Sequence, residues 1–146
     1  MRIRLYEPRD HDEWLRMRRA LRPELANEDE AEDAAMWLAQ QDAIVIVRER
    51  DAGAGLAGFV ELGTRPYAEG CRSSPVAYLE GWFVDEDVRR MGIGTALVRA
   101  GEEWARRHGY RELASDALLD NSVSHRAHAT LGFIEVERAV HFRKDL

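Results

Sequence analysis

Residues 82–98 read WFVDEDVRRMGIGTALV. An apolar, aromatic-rich run ends at Val84. An acidic patch follows, then Arg89 and Arg90, then glycines at 92 and 94, then the first residues of a helix. Without a Cβ atom the backbone at a glycine can turn tightly, and a ligand can approach it closely. At a helix start several amides lack an intrahelical acceptor, and with the helix dipole they form an anion site. The arginine pair adds positive charge. Phosphate or pyrophosphate is the guest this combination suits. Two familiar phosphate loops do not fit. A Walker A loop needs GxxxxGK followed by Ser or Thr, and the stretch has no such run. A Rossmann fingerprint needs GxGxxG directly after its strand. Here Leu97 stands at the third glycine position, and DEDVRR separates strand from glycine. Asp116 lies where a ribose-binding acid would fall, but too little chain follows it for a dinucleotide sheet.

The chain as a whole narrows the class. Its 146 residues suffice for one domain, 1–146, with a real core. No apolar run approaches a membrane span, and MRIRLYEPRD has no apolar leader segment. The single Cys71 cannot form an internal disulfide, so a reducing cytoplasm is the expected compartment. The net charge of −6 argues against a nucleic-acid partner and suits a cationic one.

Outward from the glycines, periodicity predicts an α+β fold. IRLYE reads as a short strand. DHDEWLRMRRAL reads as a helix, with Asp10 as N-cap and Trp14, Met17 and Leu21 on one face, broken by Pro23. EDEAEDAAMWLAQQ reads as a second helix with acids in its first turns. AIVIVRE and LAGFVELG, joined by RDAGAG, read as a hairpin, and VAYLEGWFV as a long strand. GIGTALVRAGEEWARRHG is an amphipathic helix stopped by Gly109. YRELASD is a strand, and NSVSHRAHATLG a short helix capped by Asn121. FIEVERAVHFRKD is expected to supply the last one or two strands. Hairpins first and βαβ later imply a mixed sheet.

At this point a resemblance enters. Arg89-Arg90-Met91-Gly92-Ile93-Gly94 is similar to the R/Q-x-x-G-x-G/A motif of the GNAT N-acetyltransferases, and the element order resembles that fold over nearly the whole chain. YAEGCRSSPVAYLEG, ASD with Asn121 five residues on, HATLGF and ERAVHFRK resemble one branch of the aminoglycoside 6′-N-acetyltransferases. The resemblance implies a mostly antiparallel mixed sheet of six to seven strands, splayed in the middle, flanked by about four helices. It implies acetyl-CoA as co-substrate, a cationic amino sugar as acceptor, antibiotic resistance as outcome, a homodimer, and no metal. It assigns the pyrophosphate to Arg90, Met91, Gly92, Ile93, Gly94 and Thr95. It gives the pantetheine arm to Trp82, Phe83, Val84 and Asn121, with one strand amide polarising the thioester carbonyl.

Acetyl transfer to an amine needs the amine neutral, so a base must take a proton, directly or through water. Glu80 sits within an apolar strand, where a carboxylate is costly unless it faces a cavity or a partner. Asp116 ends the next strand, at the carboxyl edge where open α/β sheets place ligands; its alternative role is capping the following helix, which Asn121 or Asp120 could fill instead. Glu80 is read as the water-relayed base and Asp116 as the ammonium clamp, roles that can be exchanged. Where many relatives carry a Tyr to protonate the leaving thiolate, this chain has His128, either that acid or a structural residue. The five histidines show no metal-site spacing.

By the same resemblance Arg22, Leu25, Tyr67, Glu80, Asp116 and Glu137 line the acceptor groove, with Glu137 supplied by a partner subunit. One departure is Arg22, which stands before Pro23 where relatives carry an aromatic residue. A cation there should repel a polycation at a cost of about 1 kcal/mol across a wet groove. The alternatives are an acetyltransferase for another small amine or a protein amine, and a non-catalytic acetyl-CoA-binding module.

Overall fold

A computed structural model describes residues 2–146. Five strands lie in chain order across one open sheet: β1 (Ile3–Leu5), β2 (Ile44–Glu49), β3 (Leu56–Arg65), β4 (Val76–Val84) and β5 (Leu113–Ser115). Neighbours are antiparallel except β4 and β5, which run parallel. The helices are α1 (His11–Leu21), α2 (Asn27–Ala39), α3 (Ile93–Arg107) and α4 (Ser122–Thr130).

Alternation along the strands sends side chains to two cores. Val45, Val47 and Phe59 pack with Trp14 and Met17 of α1 and Ala34 of α2. Ile46, Val60, Leu62 and Leu79 pack with Ile93, Leu97 and Val98 of α3 and with Leu131. Both faces are covered, so the central strands read as nearly continuous apolar runs. Under α1, charge is buried. Arg18 donates to Glu61 (Nε–Oε1 2.6 Å, Nη2–Oε2 3.1 Å), to Glu30 at 2.5 Å and to Asp33 at 3.0 Å, and Trp14 adds its indole N–H to Glu61.

The sheet is irregular at one place. Leu62 faces Leu79 and Glu61 faces Gly81, so Glu80 is the extra residue of a β-bulge. The parallel pairing stops next to it, at Leu79 opposite Ser115, while β4 runs on to Val84. From Glu80 onward β4 is paired on its β3 edge alone among the described residues. The expected splay is therefore present.

Three expectations need correction. Asp10 does not cap α1: its carboxylate closes a 3-10 turn at Pro8–Asp10 by accepting from the Glu7 amide at 2.8 Å, and Arg4 pairs with it. The sheet has five strands, not six to seven. Residues 134–146 form neither helix nor strand, because among the described residues no strand lies opposite their alternating pattern. Ile134, Val136, Val140 and Phe142 are consequently exposed.

Candidate active site

Beyond Val84 the chain is pinned at Asp85. Its amide donates to Ala57 O at 2.8 Å; its buried carboxylate accepts from Arg16 at 3.0 and 2.8 Å and from Arg50 at 2.8 Å. Burial pushes that carboxyl up, but the two guanidiniums outweigh it and hold it below the usual range. Past this anchor Arg89 folds back to donate to Val84 O at 2.8 Å, and Arg90 is exposed. Arg90 (φ +64°) and Gly92 (φ +81°) are both left-handed and swing the backbone into α3. The first amide bonded back along the helix is that of Ala96, to Gly92 O at 3.0 Å. The amides of Ile93, Gly94 and Thr95 precede it and face outward at the positive end of the helix dipole. A Cβ on Gly94 would stand 3.2 Å from Trp82 Nε1, so this glycine lets the helix start close against β4.

Side chains converge beside the split between β4 and β5. Tyr78 and Glu80 are two apart on β4. The Tyr78 hydroxyl donates to Asp116 Oδ2 at 2.6 Å, which fixes that carboxylate just past the end of β5. Burial, and then that hydrogen bond, push the Tyr78 hydroxyl pKa well up, so the ring stays neutral. Glu80 accepts two hydrogen bonds from Arg65, at 3.1 and 2.8 Å, and the Arg65 guanidinium lies 3.5 Å over the Tyr78 ring. The two predicted acids are thus joined through Tyr78 and Arg65, and Asp116 is open to solvent.

His128 is held on both nitrogens. Nδ1 lies 2.7 Å from Ser124 O, which assigns a proton to Nδ1, and Nε2 pairs at 2.8 Å with Ser115 Oγ, whose hydroxyl also reaches Leu79 O at 3.3 Å. Trp82 and Phe133 approach the ring edge-on, at 5.4 and 5.1 Å between centroids. Asn121 caps α4 by accepting from the Ser124 amide at 3.1 Å.

The predicted groove residues are less tightly gathered. Tyr67 is exposed in the loop after β3, and Leu25 is exposed between α1 and α2. Arg22 is paired with Asp33 at 3.2 Å, so part of its charge is offset. Glu137 lies in the extended tail. Its neighbour Val136 packs against Gly70, where an added Cβ would fall 2.6 Å from Val136 Cβ. The tail therefore passes the loop that carries Tyr67. Among the described residues no group of three or more His, Cys, Asp or Glu side chains is arranged to hold a metal ion. Nor, among the described residues, is any helix long and apolar enough to cross a membrane.

A dipole-aligned set of free amides, a glycine that admits close approach and a half-paired strand suit a pyrophosphate joined to an extended amide-bearing arm. The sequence profile of the acetyltransferase (GNAT) family matches residues 11–133. The chain belongs to the GNAT acetyltransferase family. It is 44% identical over 147 aligned positions to an aminoglycoside N(6′)-acetyltransferase type 1 of Klebsiella aerogenes, covering 99% of this chain and 96% of that one. A Serratia marcescens protein of the same name is 42% identical, with 94% and 96% covered. Among solved structures, AAC(6′)-Iy in complex with the bisubstrate analog CoA-S-monomethyl-acetylneamine superposes with a TM-score of 0.89 at 32% identity, over 99% and 98% of the chains. The apo aminoglycoside antibiotic 6′-N-acetyltransferase AAC(6′)-IG from Acinetobacter haemolyticus gives 0.88 at 32% identity, over 100% and 99%.

Against this GNAT frame, sequence reasoning missed Arg65, Tyr78 and Ser115. Tyr78 was within reach, since a residue two before Glu80 shares its face of the strand. Arg65 comes from the neighbouring strand, and its approach depends on the β3–β4 register and the bulge, which residue types do not announce.

Proposed function

We infer that the protein transfers an acetyl group from acetyl-CoA to a primary amine of an aminoglycoside, the 6′-amino group, by direct attack within a ternary complex. The observation that carries this reading is the pair of carboxylates beside the unpaired edge of β4, Asp116 held by the Tyr78 hydroxyl and Glu80 joined to the Tyr78 ring through Arg65. Acetyl-CoA supplies the activated acyl group. On the protein side, the Ile93, Gly94 and Thr95 amides, with Met91, Gly92 and Arg90, bind the pyrophosphate. Trp82, Phe83 and Val84 offer main-chain partners to the pantetheine arm, with Asn121 nearby in sequence to the Asp116 loop. An amide of that β4 segment donates to the carbonyl oxygen as negative charge builds on it, a contribution of about 3 kcal/mol to the transition state.

Asp116, oriented by Tyr78, holds the acceptor's ammonium. Glu80 takes its proton through a water and leaves the amine free to attack. The departing thiolate belongs to an acid of ordinary thiol strength, pKa about 8.5, so it can take its proton from water. What supports a positioning role for His128 is its engagement by Ser124 and Ser115: it holds Ser115 at the strand split rather than pointing a free N–H at the sulfur. Tyr67 and Leu25 wall the acceptor, and Arg22, held by Asp33, repels it less than its charge suggests. The enzyme acts in the cytoplasm, where acetyl-CoA is present.

The quaternary reading is a homodimer in which residues 134–146 of one copy lie against the other. Its support is the exposed two-residue alternation of Ile134, Val136, Val140 and Phe142 beside a sheet whose edge strand β5 is three residues long. In that assembly Glu137 joins the acceptor groove of the second subunit.

The test is thiol release from acetyl-CoA with kanamycin or tobramycin, against a panel of peptides and small amines. Turnover with the antibiotics supports the reading. Turnover confined to peptides or other amines, or coenzyme A binding without turnover on any amine, contradicts it.

A further inference from the structure

A guanidinium already stands where an acceptor's ammonium is expected. Arg65 sits 3.5 Å above the Tyr78 ring and gives a two-pronged pair of hydrogen bonds to Glu80. Asp116 lies at the hydroxyl end of the same ring, held by the Tyr78 hydroxyl, and its charge is felt at Arg65. Two carboxylates and an aromatic face are what a cation site is made of. Here the chain supplies the cation itself. We propose that Arg65 is a built-in occupant of the acceptor's ammonium position, displaced by the amine that binds there, and that it sets which amines the enzyme accepts.

Chemistry favours a displaceable occupant over a fixed strut. Burial opposes the Arg65 charge, and Glu80 outweighs burial, so Arg65 remains a cation throughout the working pH range. Its side chain is 39% exposed and Glu80 is 27% exposed, so solvent reaches the pair and the guanidinium can leave without stranding a buried charge. Arg65 is also the last residue of β3, directly before Pro66 and the loop of Tyr67. A swing of its side chain needs no change in the sheet ladder. The consequence is competitive. The competent fraction of enzyme is that with Arg65 displaced, and apparent acceptor affinity falls by that fraction. Amines able to replace both the ring contact and the Glu80 pair are favoured over singly charged ones. While Arg65 holds Glu80, the base is unavailable, which links proton removal to arrival of the acceptor.

This inference rests on Glu80 and Asp116 being the acceptor's acidic wall, and its experiment has two arms. In the first, methylguanidinium is titrated into wild type and Arg65→Ala, with binding read from tyrosine ring resonances. The vacated site should bind the probe at least about tenfold more tightly in the variant. Equal binding by the two proteins overturns the proposal. In the second, Arg65→Gln is assayed with tobramycin. Its KM for the antibiotic should fall by about fivefold or more, with KM for acetyl-CoA unchanged. An unchanged or raised antibiotic KM overturns the proposal. If no form acetylates an amino sugar yet methylguanidinium fills Arg65→Ala selectively, the occupant stands and the antibiotic assignment falls.

Discussion

At Gly92 φ is +81° and an added Cβ meets nothing within 4 Å; at Gly94 the same atom lands 3.2 Å from Trp82 Nε1. The first glycine is needed for backbone conformation, the second for closeness. Gly92→Ala strains a left-handed turn by about 1–2 kcal/mol. Part of that strain is relieved by tilting the α3 amides, so coenzyme A affinity should fall about threefold to tenfold. Gly94→Val should do more, because the indole must move and it belongs to β4, the strand proposed to meet the pantetheine. Calorimetric titration with coenzyme A reads both. On the acceptor side the expected pattern reverses: Asp116→Asn should raise the antibiotic KM by about tenfold or more, with coenzyme A affinity near wild type. On the positioning role proposed for His128, His128→Gln should keep turnover within about tenfold of wild type, since the amide can still meet Ser115.

Among the elements, the loop between β3 and β4 is tied to the lead-in of β5 by one carboxylate. Glu112 Oε1 accepts from the Ser73 hydroxyl at 2.6 Å and from the Ser73 and Arg72 amides at 2.7 and 2.8 Å. Those hydrogen bonds, the Ser73 hydroxyl first, draw its pKa down to about 2 from an ordinary 4.5. A carboxyl lowered on folding stabilises the folded state above its unfolded pKa and loses that contribution as pH falls toward the folded one. The stability difference between wild type and Glu112→Gln, from urea unfolding, should be constant above about pH 5 and shrink steadily as pH falls toward 3. A difference that grows on acidification would contradict the anchoring role.

Those same elements show what could be read from the sequence alone. The apolar alternation of β2 and β3, the face of α3 bearing Ile93, Leu97 and Val98, and the Asn121 cap are local signals, and each was legible. So was Glu80, because a carboxylate in an apolar strand demands a reason. The bulge that gives the reason was hidden, since it is a property of two strands in register. Arg65 and Ser115 were hidden for the same cause. Asp10 misled because Asp before a helix suits a cap, while the pull of Arg4 across the turn depends on tertiary approach. The tail misled in the opposite sense: its alternation is a strand signal, but among the described residues no strand answers it.

For the whole molecule, two features carry the account. One is the buried Arg18 network, which fastens α1 and α2 to β3 one strand away from Glu80. Glu61→Ala would leave a buried guanidinium short of partners and should cost about 3–5 kcal/mol in urea unfolding. The other is the tail. Deleting residues 134–146 should convert a dimer to a monomer in sedimentation velocity and raise the antibiotic KM; a full-length chain that sediments as a monomer contradicts the exchanged-tail reading. Beneath both lies the central claim, that free amides at the start of α3 and an unpaired strand edge aim a thioester at an amine held between Glu80 and Asp116. The most direct measurement is the initial rate of thiol release from saturating acetyl-CoA with tobramycin, wild type beside Glu80→Gln. The account predicts turnover in the wild type and a rate lower by about a hundredfold in the variant. No thiol release above background hydrolysis in the wild type, or equal rates in the two proteins, would contradict it.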